Sequence, residues 1–158
     1  MKIICDSREQ KPYSFKRWPD VEVQRGTLFA GDYSLSEYES QVAVERKTLD
    51  DLIACLMGQN RERFERELSR TQEYEMFAVV AEAAWGDVSK GQYKSNMRPH
   101  SALQSITAFI VRYNIPFFFP GSRAGAEYLT HSLLSKYIYE QGRDNQKNCK
   151  QLEVSNEI

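Results

Sequence analysis

Four apolar runs, each of strand length and no longer, set the strongest limit on how this chain can fold. Residues 2–5 (KIIC), 41–45 (QVAVE), 76–80 (MFAVV) and 116–119 (PFFF) are too short for buried helices and too apolar for surface loops. Between and after them the apolar residues recur at helical spacing. Thr48 opens such a stretch as a candidate N-cap, with Asp51 three residues on and Leu49, Leu52, Ile53 and Leu56 as its stripe, and Gly58 is expected to close it. Further helices are expected at about 60–72, 101–113 and 124–139. Residues 21–24 alternate apolar and polar. Gly26 and Gly31 punctuate the chain before Asp32-Tyr33-Ser34-Leu35, and the polar SEYES stretch suits a hairpin loop leading to the run at 41–45. The segment 81–99 reads as a loop. Meandering strands followed by strand–helix alternation imply an α/β domain with a mixed sheet flanked by helices.

The 158 residues suit one domain, taken as 1–140, with 141–158 a polar, aperiodic and flexible C-terminal tail. A net charge of −1 excludes a uniformly basic coat, so any nucleic-acid contact has to come from local clusters. The three cysteines (Cys5, Cys55, Cys149) are far apart and form no CxxC, and there are two histidines, His100 and His131. A disulfide framework, a zinc site and a His-rich metal centre are therefore not expected. No run reaches membrane-span length and the first residues carry no signal-peptide pattern, so a cytoplasmic location is expected, with no membrane partner.

Acidic residues fall at or near strand ends: Asp6, Asp32 and Glu45. Side chains alternate along a strand, so Glu45 and Lys47 share one face while Arg46 points to the other with Val42 and Val44. If the strands around SEYES pair as a hairpin, Asp32 approaches Glu45. Two carboxylates converging beside a lysine make an oxygen-rich site for Mg²⁺ or Mn²⁺, with Lys47 placed to orient water or to offset charge developing on a phosphate. A solvated strand face with a cross-strand ion pair is the plainer reading of the same residues taken alone.

The longer pattern Gly31-Asp32 … Glu45-Arg46-Lys47-x3-Asp51, preceded by Asp6-Ser7-Arg8-Glu9, resembles the XPF/Mus-type nuclease family, metal-dependent enzymes that cut flaps, forks and crossover junctions. The resemblance covers about residues 1–139 and implies a restriction-endonuclease-like fold. It implies Asp32 and Glu45 as metal ligands, with Glu9 a further acid of the site, and Lys47 as the catalytic lysine. Arg46 would tie the motif to acidic groups or DNA phosphate. Asp51 would support the site from the next helix, although a capping box explains it equally. Every position of the motif carries the expected residue type.

Arg8, Arg63 and Arg66 are candidates for DNA contact. The alternative for the helix after Gly58 is an ordinary exposed face in which Glu62 pairs with Arg66 and Glu67 with Arg63, and Arg70 is assigned to that face. The wide apolar spread of Ala126, Leu129, Leu133, Leu134, Tyr137 and Ile138 suits either a deeply buried helix or a homodimer built on the helices near 101–113 and 124–139. Members of the resembled family usually carry a helicase or a DNA-gripping helix-hairpin-helix module. Such a module is expected here as a partner. The reading that follows is a Mg²⁺- or Mn²⁺-dependent endonuclease on branched DNA, in repair or recombination, in a bacterial or phage nucleoid setting. Its alternative is a non-catalytic DNA-binding or scaffolding subunit.

Overall fold

β1 (Lys2–Asp6) buries every residue but its first, so it lies inside the sheet rather than at the rim. β2 (Glu22–Gly26) pairs parallel to β1 and is exposed along most of its length, a charged edge strand. On the other side of β1 runs β3 (Tyr33–Leu35), antiparallel to it and to β4 (Val42–Lys47). β5 (Met76–Ala81) and β6 (Phe117–Phe118) continue the sheet in parallel. The described residues thus form a six-stranded mixed sheet in the order β2-β1-β3-β4-β5-β6. This computed structural model describes the backbone of residues 1–155 and the side chains of residues 1–145.

Among the described residues five helices accompany the strands: α1 (Leu49–Ala54), α2 (Gly58–Arg70), α3 (Trp85–Ser89), α4 (Pro99–Tyr113) and α5 (Arg123–Ser155). The period-2 alternation of the strands sorts their side chains between two cores. Ala43, Phe77, Val79 and Phe117 pack with Leu52 and Ile53 of α1, Phe64 and Leu68 of α2, and Ile106 and Phe109 of α4. On the opposite face Val42, Val44, Val80, Tyr33 and Leu35 pack with Ala126, Leu134 and Tyr137 of α5. Both cores share one sheet, so the chain is one α/β domain, as its sequence implies.

Several boundaries differ from the sequence reading. Gly58, expected to close the first helix, adopts φ +56 and begins α2, which ends at Arg70 rather than near residue 72. α4 begins at Pro99, because proline is well placed in a first helical turn whose N–H groups have no intrahelical partner. The expected loop 81–99 contains α3, a single turn closed by the Asp87 carboxylate accepting from the Ala84 N–H at 2.8 Å and pinned by buried Val88. Five residues are too few to show a period. α5 runs on past Tyr139, its expected end. Its polar continuation holds good helix formers and no proline, and helix propagation does not require an apolar stripe.

Candidate active site

The β3–β4 hairpin pairs Tyr33 with Val44 and Ser34 with Ala43, and the same register carried one step further sets Asp32 opposite Glu45. Asp32 is held from both sides. Its N–H donates to the Val44 carbonyl at 2.9 Å, and its carbonyl accepts from the Asp6 N–H at 2.8 Å. The Arg46 N–H donates to Asp32 Oδ2 at 2.8 Å, which fixes the carboxylate's direction. Gly31 makes the approach possible. It has φ +78, and a Cβ there would lie 2.9 Å from the Ala43 Cβ.

Glu45 and Lys47 share a face of β4, and Lys47 Nζ donates to Glu45 Oε1 at 2.5 Å. Both side chains are largely withdrawn from solvent. Burial and the neighbouring Glu45 charge push the Asp32 carboxyl up to about 8, with the Arg46 N–H and Lys47 opposing. Burial alone would lower the Lys47 ammonium, but Glu45 overrides it and holds the group protonated. These residues floor an open cleft of about 520 Å³, whose walls include Arg8, Asp51 and Arg63.

Among the described residues no three Asp, Glu, His or Cys side chains converge closely enough to hold a metal on their own. Asp32 and Glu45 offer two carboxylates crowded together, with the Lys47 ammonium beside Glu45. That donor set fits Mg²⁺ or Mn²⁺, hard cations satisfied by one or two protein carboxylates with water filling the remaining positions.

Glu9 is placed differently from its expected place in the metal set. Its two oxygens accept from Arg46 Nε at 2.9 Å and Nη2 at 3.1 Å, and Oε1 also accepts from the Lys11 N–H at 2.7 Å. Burial works to raise this carboxyl, and Arg46 outweighs it and lowers it. Arg46 leaves the opposite face of β4 from Glu45 and Lys47, as strand alternation requires. It also donates to Glu82 Oε1 at 2.9 Å, which accepts from Arg123 Nη1 at 2.7 Å. Arg123 in turn donates to the carbonyls of Lys11 and Pro12. A relay Glu9–Arg46–Glu82–Arg123, buried as far as Glu82 and exposed at Arg123, therefore braces the segment after β1, the ends of β4 and β5, and the start of α5.

The Asp6 carboxylate accepts from the N–H groups of Arg8 and Leu28 and from the Arg8 guanidinium. Burial works to raise it, yet these donors hold it below the usual carboxylate range. Thr48 caps α1: its Oγ1 accepts from the Asp51 N–H at 3.2 Å and donates to the Asp51 carboxylate at 2.7 Å. The cap and a place in the cleft wall coexist. Arg63 and Arg66 are exposed, and Arg66 is not part of the cleft wall. The Glu62–Arg66 and Arg63–Glu67 pairs do not form; the i,i+4 pair on α2 is Arg61–Glu65 at 3.7 Å.

Two functional neighbours escape a reading of the sequence. Glu82 follows an apolar strand at its carboxyl end, where α/β sheets gather their sites, and that position is its only signal. Glu67 looks like a surface residue of α2. In the fold, burial and the Glu45 charge raise its carboxyl, so it belongs to the electrostatics of the site.

The ERCC4 domain family matches the chain over residues 5–133. No curated protein matches it in sequence. Among solved structures it is similar to XPF from Aeropyrum pernix, with a TM-score of 0.70 and 22% identity over 92% of this chain and 69% of that one. It is also similar to XPF from Aeropyrum pernix in complex with DNA, with a TM-score of 0.65 and 23% identity over 88% of this chain and 66% of that one. Both likenesses describe the fold, a mixed sheet flanked by helices as expected.

Proposed function

The chain belongs to the ERCC4 domain family, among the XPF-type nuclease domains, and from that premise we propose that it is a Mg²⁺- or Mn²⁺-dependent endonuclease for branched DNA. One observation carries the reading: the β3–β4 register sets Asp32 opposite Glu45, with the Lys47 ammonium 2.5 Å from Glu45, on the floor of an open cleft.

Asp32 and Glu45 are the residues to hold the cation. A bound divalent cation supplies Lewis acidity, polarising a phosphodiester and making water more acidic. The Arg46 N–H keeps the Asp32 carboxylate aimed into the cleft, and Glu9 and Glu82 keep Arg46 in place. Lys47 is held protonated and so serves as a donor and not as a base: it orients the attacking water and offsets charge developing on the phosphate. Arg8 and Arg63, both reaching the cleft, take backbone phosphates, with Arg66 one turn further along α2. The fold's likeness to an XPF solved in complex with DNA supports DNA as partner.

We extend the reading to a homodimer. Of the wide apolar stripe on α5, Ala126, Leu134 and Tyr137 are buried. Leu129, Leu133, Met76 and Tyr137 border an apolar groove, and Tyr128, Ile138 and Tyr139 stand in solvent. α4 and α5 lie on opposite faces of the sheet, so α5 is the main candidate surface. A helicase or DNA-gripping partner would supply further choice of substrate. Among the described residues no helix is long and apolar enough to cross a membrane, in keeping with a proposed cytoplasmic role in repair or recombination.

The test is a panel of labelled flap, fork, four-way and linear duplex DNA incubated with Mg²⁺ or Mn²⁺. Cutting of the branched forms ahead of the linear duplex is expected. Binding without cutting in either metal would favour a scaffolding subunit instead.

A further inference from the structure

Phe29 stands between β2 and β3 and belongs to neither core, and 65% of it faces solvent. Two residues, Ala30 and Gly31, separate it from Asp32, so their Cα atoms lie within about 10 Å. The ring is presented from an anchored position. Neighbouring Leu28 is buried, its N–H donates to Asp6 Oδ2 at 2.9 Å, and its carbonyl accepts from Arg8 Nη2 at 2.9 Å. The Arg70 guanidinium sits 5.6 Å from the ring centroid. The two side chains border a concavity of about 390 Å³ that also includes Tyr74, Glu39 and Glu73.

α2 links this feature to the cleft. At 100° per residue, Arg63, Arg66 and Arg70 fall within about 60° of one another, and they span about 10 Å along the axis. Arg63 is in the cleft wall and Arg70 is at the ring. Among the described residues none of the three makes an ion pair, so all are available to phosphates. Glu39 and Glu73 repel phosphate from the concavity itself. That division of charge suits a nucleotide whose base lies on the ring while its phosphate rests on the arginines. Bases within a duplex are covered by their neighbours, and only an unpaired base offers a free face to an aromatic side chain.

We propose that Phe29 and Arg70 form a stacking site for an unpaired base of the single-stranded arm beside the branch point. The proposal rests on the nuclease reading and assigns to that site its means of sensing unpaired DNA.

The test measures binding by fluorescence anisotropy in Ca²⁺, for a fork with single-stranded arms and for a fully paired duplex of the same length. Wild type, Phe29→Ala and Phe29→Trp are compared, and thermal melting checks that each folds. Phe29→Ala is expected to lower the fork-over-duplex affinity ratio by about 5- to 100-fold, and Phe29→Trp to restore it. In parallel, 5-iodouracil is moved along the arm of the fork and irradiated. A crosslink to Phe29 from an arm position next to the branch supports the site even if the alanine variant fails to fold. A ratio within twofold of wild type, or no crosslink at Phe29 from any arm position, overturns the stacking site and leaves the nuclease reading standing if wild type still cuts forks in Mg²⁺. A wild type that neither binds nor cuts any of these DNAs overturns both.

Discussion

Replacing Glu82 with alanine probes the relay behind the site at a residue that does not line the cleft. Two charge-assisted hydrogen bonds are lost, from Arg46 at 2.9 Å and from Arg123 at 2.7 Å. They are not equal. The Arg46 side chain is 8% exposed, so the guanidinium stays buried with Glu9 as its remaining acidic partner, and losing one such bond costs about 2–3 kcal/mol. The Arg123 side chain is 44% exposed, and its bond to Glu82 is worth less than about 1 kcal/mol. The sum is about 3 kcal/mol, which for a chain of this size lowers Tm by about 6–12 °C. Glu82→Gln keeps an acceptor and should lose about half as much, and Arg123→Ala should stay within about 4 °C of wild type. Scanning calorimetry of the three variants under one buffer checks the ordering. A Glu82→Ala protein melting within 2 °C of wild type, or Arg123→Ala falling further than Glu82→Ala, would refute the assignment of Arg46 as the buried charge that Glu82 satisfies.

Other outcomes follow from the same geometry. Gly31→Ala combines a left-handed backbone with a Cβ contact of 2.9 Å, and should cost about 2–4 kcal/mol, read as a lower urea midpoint at unchanged m-value. Lys47→Met should cut single-turnover cleavage by about 100-fold or more while leaving the metal-dependent rise in Tm in place, because the proposed role of Lys47 is that of a donor to the reacting groups and not a ligand; loss of both together would contradict that role. Light scattering at micromolar concentration should return twice the chain mass, with Leu133→Glu on the α5 groove shifting it to a monomer; a wild-type monomer would end the dimer proposal.

The centre of the site was legible because its geometry is local. A hairpin loop between two short strands sets a register, and strand alternation then separates Glu45 and Lys47 from Arg46 without reference to the rest of the chain. The Thr48–Asp51 cap was legible for the same reason. Glu9 was named as an acid of the site, but its pairing with Arg46 and that of Glu82 were not legible, because they lie 37 and 36 residues from Arg46 in sequence and no periodic pattern encodes such a pairing. Glu67 entered only as an alternative surface partner of Arg63, because helical spacing reports neighbours on one helix and nothing of the strand beneath it. The end of α5 was misplaced because the apolar stripe that marks a packed helix stops before the helix does.

The account stands on the acid pair, and calorimetric titration of Mn²⁺ into wild type, Asp32→Asn and Glu45→Gln tests it directly. Each substitution keeps side-chain size while replacing one carboxylate oxygen with an amide nitrogen and removing the ionisable group. The account predicts that wild type takes up the cation, that either variant weakens uptake by at least about tenfold, and that cleavage of forked DNA falls in step. Two variants binding Mn²⁺ as tightly as wild type would contradict it.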